Sequence, residues 1–338
     1  MKISFLVPHL KVAGGIRIAL GYADGLAARG HEVFVVVQNS NFLRRTIANV
    51  FNRKPEWQKQ LRAQVVQVAS WEQAPSADVI IADSWRIAKV FSTLQTSARI
   101  FQLVQHDERL YHGDAESVAM TLALPLRKIV VSSWLKQIVL EQYAQESDLL
   151  LNPVDRNLFH QVPRIAPEDT VRVLLLHHTY PWKGTAEGVE MVTSLKSRYP
   201  EIRLILFGSR GEEVSAYPCD EYYYNLPQEK LAQLYSNTDI YLCPSWEEGF
   251  GLPSIEAMHC GATLVTYDNG GSRDYAKDGE TAFVAPHREV GALAEKLEQA
   301  VSDSVLRKKV ARQGQVFVQS MPTWETQVTG LERILEQK

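Results

Sequence analysis

Ile240-Tyr-Leu-Cys243-Pro-Ser-Trp-Glu-Glu248-Gly-Phe-Gly-Leu-Pro253-Ser-Ile-Glu256-Ala257 is the stretch that decides the fold. A short apolar run, Ile240–Cys243, reads as a strand buried on both faces. It enters a loop with two glycines, and a helix then opens with Pro253 near its first position, where a missing N–H costs nothing. Strand, glycine loop and helix make the repeating unit of a doubly wound α/β sheet, whose ligands sit beyond the carboxyl ends of the strands.

The same alternation extends in both directions. Strands are expected at residues 3–7, Glu32–Gln38, Gln64–Val68, 78–82, 100–104, 128–131 and 148–151, with a helix over 15–29 closed by Gly30. Residues 157–169 carry two of the sequence's prolines in an aperiodic run and read as a linker. The pattern then restarts with strands at Val171–Leu176, 203–207, Ile240–Cys243 and 263–266, and helices at 185–198, Gln228–Ser236 and 254–259. Three helices, 290–301, 306–320 and 324–337, end the chain. Continuous apolar strands separated by helices predict parallel sheets covered on both sides. The fold class is therefore α/β, with two Rossmann-like doubly wound domains facing one cleft. Their expected extents are residues 1–158 and 170–320, with 321–338 as a final helical segment.

Length and composition agree. At 338 residues the chain has room for about two domains, and 45% apolar with 22% charged residues is ordinary globular composition. A net charge of −3 argues against a nucleic-acid binder. Up to residue 160, however, 18 Lys/Arg face 14 Asp/Glu, whereas the remainder carries 18 against 25. The N-terminal half is thus the part suited to an anionic partner. Three cysteines without C-x-x-C spacing suggest no disulfide framework and fit a reducing cytoplasm. The opening apolar run is short for a signal peptide, and no run is long enough to span a bilayer.

In the loop, Gly249 and Gly251 let a ligand approach the backbone. The first-turn amides at Ser254 and Ile255 are expected to face phosphate oxygens. Glu256 is expected in that same turn, where a carboxylate can accept two hydrogen bonds from a ribose diol. Glu248 would stand nearer whatever follows the phosphates. Elsewhere, Gly14 and Gly15 open a helix after the first strand and are expected to bind the donor by letting the backbone approach a phosphate or sugar; the loop is not G-x-G-x-x-G, which weakens a dinucleotide oxidoreductase reading. His106 and Asp83 follow strands and would stand at their carboxyl ends. No D-x-D pair is present to hold a divalent cation on a diphosphate, so metal-independent chemistry without a cofactor is expected.

Two glutamates seven residues apart, Glu248-Gly-Phe-Gly-Leu-Pro-Ser-Ile-Glu256, resemble the E-x7-E motif of glycosyltransferase family 4, retaining enzymes of the GT-B fold that use nucleotide sugars. The resemblance extends through Gly261-Ala-Thr-Leu-Val-Thr266, Asn269-Gly-Gly-Ser-Arg-Asp-Tyr275 and Asp278-Gly-Glu-Thr-Ala-Phe-Val284. It includes Asn152-Pro-Val-Asp155, Trp182-Lys-Gly184, Gly14-Gly15 and Arg29-Gly-His-Glu-Val33. It implies that Glu256 binds the donor ribose and Glu248 the sugar hydroxyls. The backbone from Gly251 through Leu252 and Pro253 to Ser254 would hold the diphosphate, with Gly249 and Phe250 in the same donor-binding loop. Lys183 would neutralise the leaving diphosphate, and His106 would stand near donor sugar and acceptor. Base recognition would use Gly208, Ser209 and Arg210 together with Leu226 in the turn 224–227. His177 stands where family members commonly carry an arginine, so a directed hydrogen bond replaces a permanent charge there. The final helix resembles the family's segment that returns to the N-terminal domain.

The expected reaction moves a hexosyl group from a nucleoside-diphosphate sugar to a saccharide or lipid-linked acceptor, as in bacterial polysaccharide or glycoconjugate synthesis. A sugar-nucleotide epimerase of the same architecture is the rival enzyme reading, and a non-catalytic carbohydrate-binding relative the rival binding reading. Residues 41–63 hold Arg44, Arg45, Arg53, Lys54, Lys59 and Arg62 against Glu56 alone, with Leu43, Ile47, Val50 and Phe51 in an approximately helical stripe. Such a segment reads either as an ordinary helix with a solvated basic face or as a peripheral contact with the inner face of an anionic membrane.

Overall fold

Each apolar run becomes a strand in the computed structural model, which describes residues 1–111, 113–167, 169–209 and 217–337. Residues 1–152 together with 324–338 form one unit, and residues 153–323 form the other.

The first unit runs β1 (Lys2–Val7), α1 (Gly14–Ala28), β2 (Glu32–Gln38), α2 (Phe42–Val50), β3 (Gln64–Val68), β4 (Val79–Ala82), α3 (Trp85–Phe91), β5 (Arg99–Val104), α4 (Ala115–Leu122), β6 (Arg127–Val130), α5 (Ser133–Tyr143) and β7 (Ser147–Leu149). Its sheet has the order β3-β2-β1-β4-β5-β6-β7, all parallel. The order reverses between β1 and β4. Ile3, Phe5, Leu6 and Val7 of β1 are fully buried, as a central strand covered on both faces requires.

The second unit runs β8 (Val171–Leu176), α6 (Thr185–Lys196), β9 (Ile202–Gly208), β10 (Glu221–Tyr224), α7 (Gln228–Ser236), β11 (Ile240–Cys243), α8 (Leu252–His259), β12 (Thr263–Tyr267), β13 (Phe283–Ala285), α9 (Val290–Ser302) and α10 (Ser304–Ser320). The strand order is β10-β9-β8-β11-β12-β13, again parallel, and it reverses between β8 and β11. Val173, Leu175, Leu204, Leu206, Leu242 and Val265 form the core beneath α6 and α9.

The last helix, α11 (Trp324–Glu336), belongs to the first unit. Trp324 meets Tyr22 of α1 edge-on at 5.3 Å. Glu332 accepts from Arg29 at 2.8 Å and pairs with His31 at 2.7 Å.

Three expectations need correction. Residues 157–169 are not a linker but part of the second unit, and residues 153–158 lie there rather than in the first. Phe159 is fully buried beside Tyr235. The backbone amides of Ile165 and Ala166 both donate to Asn237 Oδ1 at 2.8 Å, which fastens an aperiodic stretch by side-chain acceptors. Glu221–Tyr224 is an edge strand whose three tyrosines hid it among turn residues. Lastly, α8 begins at Leu252, two residues before its expected start.

Candidate functional site

The reversal between β8 and β11 is where an open α/β sheet leaves a crevice, and the two loops that leave those strands carry Lys183 and Glu248. After β8 the chain makes a short turn over Pro181–Lys183, ended by Gly184 at φ +66°. A Cβ on Gly184 would stand 2.3 Å from the Pro244 carbonyl oxygen. The Trp246 amide donates to Trp182 O at 2.8 Å, so the two loops are stitched together by backbone. Lys183 Nζ consequently donates to Glu248 Oε1 at 2.6 Å, with the side chains only 17% and 12% exposed. Glu248 is held in turn by Asn269 and Gly271: its amide donates to Asn269 O at 2.9 Å, and its carbonyl accepts from Gly271 N at 3.0 Å. Gly184→Ala is expected to cost roughly 2–4 kcal/mol, from left-handed strain plus backbone overlap. That should appear as a loss of roughly 5–15 °C in melting temperature; an unchanged Tm would contradict this account of the loop.

Gly251 caps α8 at φ +89°, where a Cβ would meet Tyr275 Oη at 2.4 Å. That hydroxyl donates to Phe250 O at 2.8 Å, and the two rings meet edge-on at 5.5 Å. The loop of Gly249, Phe250 and Gly251 is therefore braced from below by a fully buried tyrosine. The amide donors ahead of α8 differ from those expected. Ser254 and Ile255 donate to Gly251 O at 3.0 and 3.4 Å, and Pro253 has no N–H. The donors ahead of the helix's own ladder are those of Gly251 and Leu252.

Glu256 lies in the second turn of α8, since the helix starts early, and its first turn holds no acid. The residue is 2% exposed, and Tyr235 Oη donates to Oε2 at 3.4 Å.

His177 follows β8, and its ring is buried edge-on to Tyr217 and Tyr222 at 5.7 and 5.8 Å. His178 meets the Tyr180 ring at a tilt, 4.4 Å away, and accepts from the Tyr180 amide through Nδ1. Gly208 ends β9 and accepts from Asn225 N at 2.7 Å, Ser209 beside it is exposed, and Arg210 lies outside the described residues. Leu226 lines a separate cavity of about 380 Å³ with Arg172 and Glu221, at the amino ends of β8 and β10.

The first unit has its own cavity, of about 710 Å³, at the reversal between β1 and β4. Gly15, Asp83, Glu108 and His106 line it, together with Ser40 and Trp71, while Gly14 is exposed at the start of α1. Gln105 Nε2 donates both to Asp83 Oδ1 and to Gly15 O. The Gly15 carbonyl is thus held by a side-chain amide while the residue lines the cavity. His106 Nδ1 reaches the Asp107 carbonyl at 3.1 Å, and its ring meets Tyr111 edge-on. Glu108 was not singled out from sequence. Its Oε2 accepts from Trp85 N at 2.9 Å, and burial pushes the carboxyl up to about 7. Burial likewise holds Asp83 well above the usual carboxylate range.

These shifts make a pH prediction. A carboxyl raised by folding keeps its proton in the native state after the unfolded chain has released it. The Glu108 contribution is therefore full below the unfolded pKa and is lost as pH rises through about 7. The melting temperature of Glu108→Gln relative to wild type should climb between pH 5 and 7 and level off above 8. A difference independent of pH would remove the burial argument.

Residues 157–317 match the family model described as glycosyl transferases group 1, a span inside the second unit. The capsular polysaccharide biosynthesis glycosyltransferase CapM of Staphylococcus aureus is 28% identical over 148 residues, 41% of this chain and 38% of that protein. The chain thus spans well under two thirds of that relative's length. Sucrose-phosphate synthase from Thermosynechococcus elongatus superposes with a TM-score of 0.82 at 18% identity, over 98% of both chains. Anabaena Alr3699/HepE, solved in complex with UDP and glucose, gives 0.79 at 17% identity over the full length of both. At such identities the likeness speaks for the fold, which is GT-B, with two Rossmann-like α/β units.

Proposed function

We propose that this chain, whose second unit carries the group 1 glycosyltransferase pattern, is a retaining glycosyltransferase. It moves a hexosyl group from a nucleoside-diphosphate sugar to a hydroxyl of a saccharide or lipid-linked acceptor, in the synthesis of a surface polysaccharide or glycoconjugate. The observation that carries this reading is the Lys183–Glu248 contact of 2.6 Å at the β8/β11 reversal, in a loop that runs into the N-terminus of α8.

The second unit holds the donor. An ammonium and the amides of Gly251 and Leu252 meet the diphosphate, Glu248 the sugar hydroxyls and Glu256 the ribose. Lys183 and the helix terminus stabilise charge that grows on the leaving diphosphate, which favours the transition state over the ground state. The acceptor hydroxyl attacks C1 from the face the diphosphate leaves. The C1–O bond to phosphate breaks, the new C1–O bond forms, and the acceptor's proton passes to a phosphate oxygen. Protein groups contribute positioning and charge. The acceptor head group occupies the first-unit cavity beside His106, Asp83 and Glu108. The matches to a capsular polysaccharide glycosyltransferase and to a protein solved with UDP and glucose support donor and pathway class.

The test is product stereochemistry. An α-linked donor should give an α-linked product, read from the anomeric proton coupling. An inverted product would overturn retention, and nucleotide release without any glycosylated product would favour the epimerase reading. Turnover should also survive EDTA; a loss restored by Mg²⁺ or Mn²⁺ would contradict metal-independent chemistry.

A further inference from the structure

We infer that α2 and the turn after it dock the chain on an anionic lipid surface. The helix is packed inside out. Its protein-facing side is made of Ala48, 5% exposed, and Asn49, which donates to Gln67 O at 2.8 Å and accepts from Gln67 N at 2.7 Å on the edge strand β3. Arg45 adds a bond to Asn39 O at 2.8 Å. The opposite side presents Phe42, Leu43, Ile47, Val50 and Phe51, between 54% and 76% exposed. An amphipathic helix of a water-soluble surface turns its apolar side inward, and five large apolar side chains within ten residues form a contiguous patch that needs a partner.

The patch is fixed in place. Asn41 caps the helix by accepting from Arg44 N at 2.9 Å, Asn52 accepts from Val65 N at 3.0 Å, and Trp57 donates to Leu10 O at 2.9 Å. The helix therefore covers residues 42–50 alone, followed by this pinned turn, rather than the whole of 41–63.

Charge selects the partner. Arg44 within the helix and Arg53, two residues past Phe51, are exposed, as is Lys59 further along the segment, and Glu56 is the sole acid between residues 41 and 63. Arg62 is engaged with Asp24 at 2.6 Å. Apolar side chains set among cations suit the boundary between acyl chains and phosphate head groups. A symmetric pair of copies would instead press like charges against one another. Among the described residues no helix is long and apolar enough to cross a membrane, so the contact is peripheral. Ser40, immediately before the Asn41 cap, lines the first-unit cavity, so docking would hold that cavity at the lipid surface. This last step rests on the glycosyltransferase reading and makes the acceptor lipid-linked; the docking itself does not.

The experiment is co-sedimentation of the full chain with vesicles of phosphatidylcholine alone or mixed with phosphatidylglycerol. Wild type should partition onto the anionic vesicles and release in high salt. Leu43→Ser/Ile47→Ser and Arg44→Glu/Arg53→Glu should each weaken partitioning by about tenfold or more, with melting temperature and the nucleoside-diphosphate thermal shift retained. No wild-type binding, or variants that bind like wild type, would overturn the docking and leave the donor reading intact. A wild-type dimer that both variants convert to monomer would assign the patch to a second copy instead. Loss of the nucleotide shift in wild type, with vesicle binding kept, would overturn the enzyme reading and leave the docking.

Discussion

Lys183→Ala is expected to lower kcat by about 100- to 1000-fold, the usual cost of removing one preorganised charge from a transition state, with little change in KM. The ammonium lies 2.6 Å from Glu248 Oε1 and is 17% exposed, so its position is fixed by the protein. Charge on a departing diphosphate increases as the C1–O bond breaks, so a contact to it strengthens along the reaction and shows in kcat. Substitution also removes the Lys183–Glu248 ion pair, so the alanine variant mixes loss of the charge with displacement of that carboxylate. Lys183→Arg separates the two effects, because it restores the charge and the pair while displacing the donor geometry. Partial recovery of kcat in the arginine variant supports the leaving-group role. A change in KM alone would refute it.

Glu256→Ala should weaken binding of the nucleoside diphosphate by about 1.5–3 kcal/mol, roughly 10- to 150-fold, the value of hydrogen bonds to a charged group. The carboxylate is 2% exposed in the second turn of α8, with the Tyr235 hydroxyl at 3.4 Å as a long contact. A buried carboxylate on this helix gains from a diol that supplies two charge-assisted hydrogen bonds. Glu256→Gln keeps the shape and retains one acceptor, so its loss of affinity should be smaller, while the fold without nucleotide stays as stable as wild type. Measured by calorimetry, equal affinity in wild type and alanine variant would remove the ribose assignment.

Much of this was legible from the chain. Both sheets follow from apolar runs such as Val33 to Val37 and Val171 to Leu176, because a central parallel strand needs apolar residues on both faces. The spacing of Glu248 and Glu256 and the glycines between them located the second-unit loop without any structure. What escaped depends on contacts distant in sequence. Residues 157–169 look like a linker until Asn237 and Ser236 supply acceptors for their amides. The early start of α8 follows from Gly251 taking a positive φ over Tyr275, and it moves Glu256 into a second turn. Glu108 became notable only when folding buried it. Helical period in 42–50 was visible, but period alone does not say which side faces the protein. Ala48 and Asn49 decide that, and they turn the apolar side outward.

The most direct test of the central claim is a thermal-shift panel of UDP, GDP, dTDP, ADP and NAD⁺ on wild type and Glu256→Ala. A ligand at a hundred times its Kd adds about 2.7 kcal/mol to stability, which should raise Tm by roughly 5–10 °C. The account predicts that one nucleoside diphosphate shifts the wild type and that the shift shrinks in the variant. A shift by NAD⁺ alone, or by no nucleotide, would contradict it.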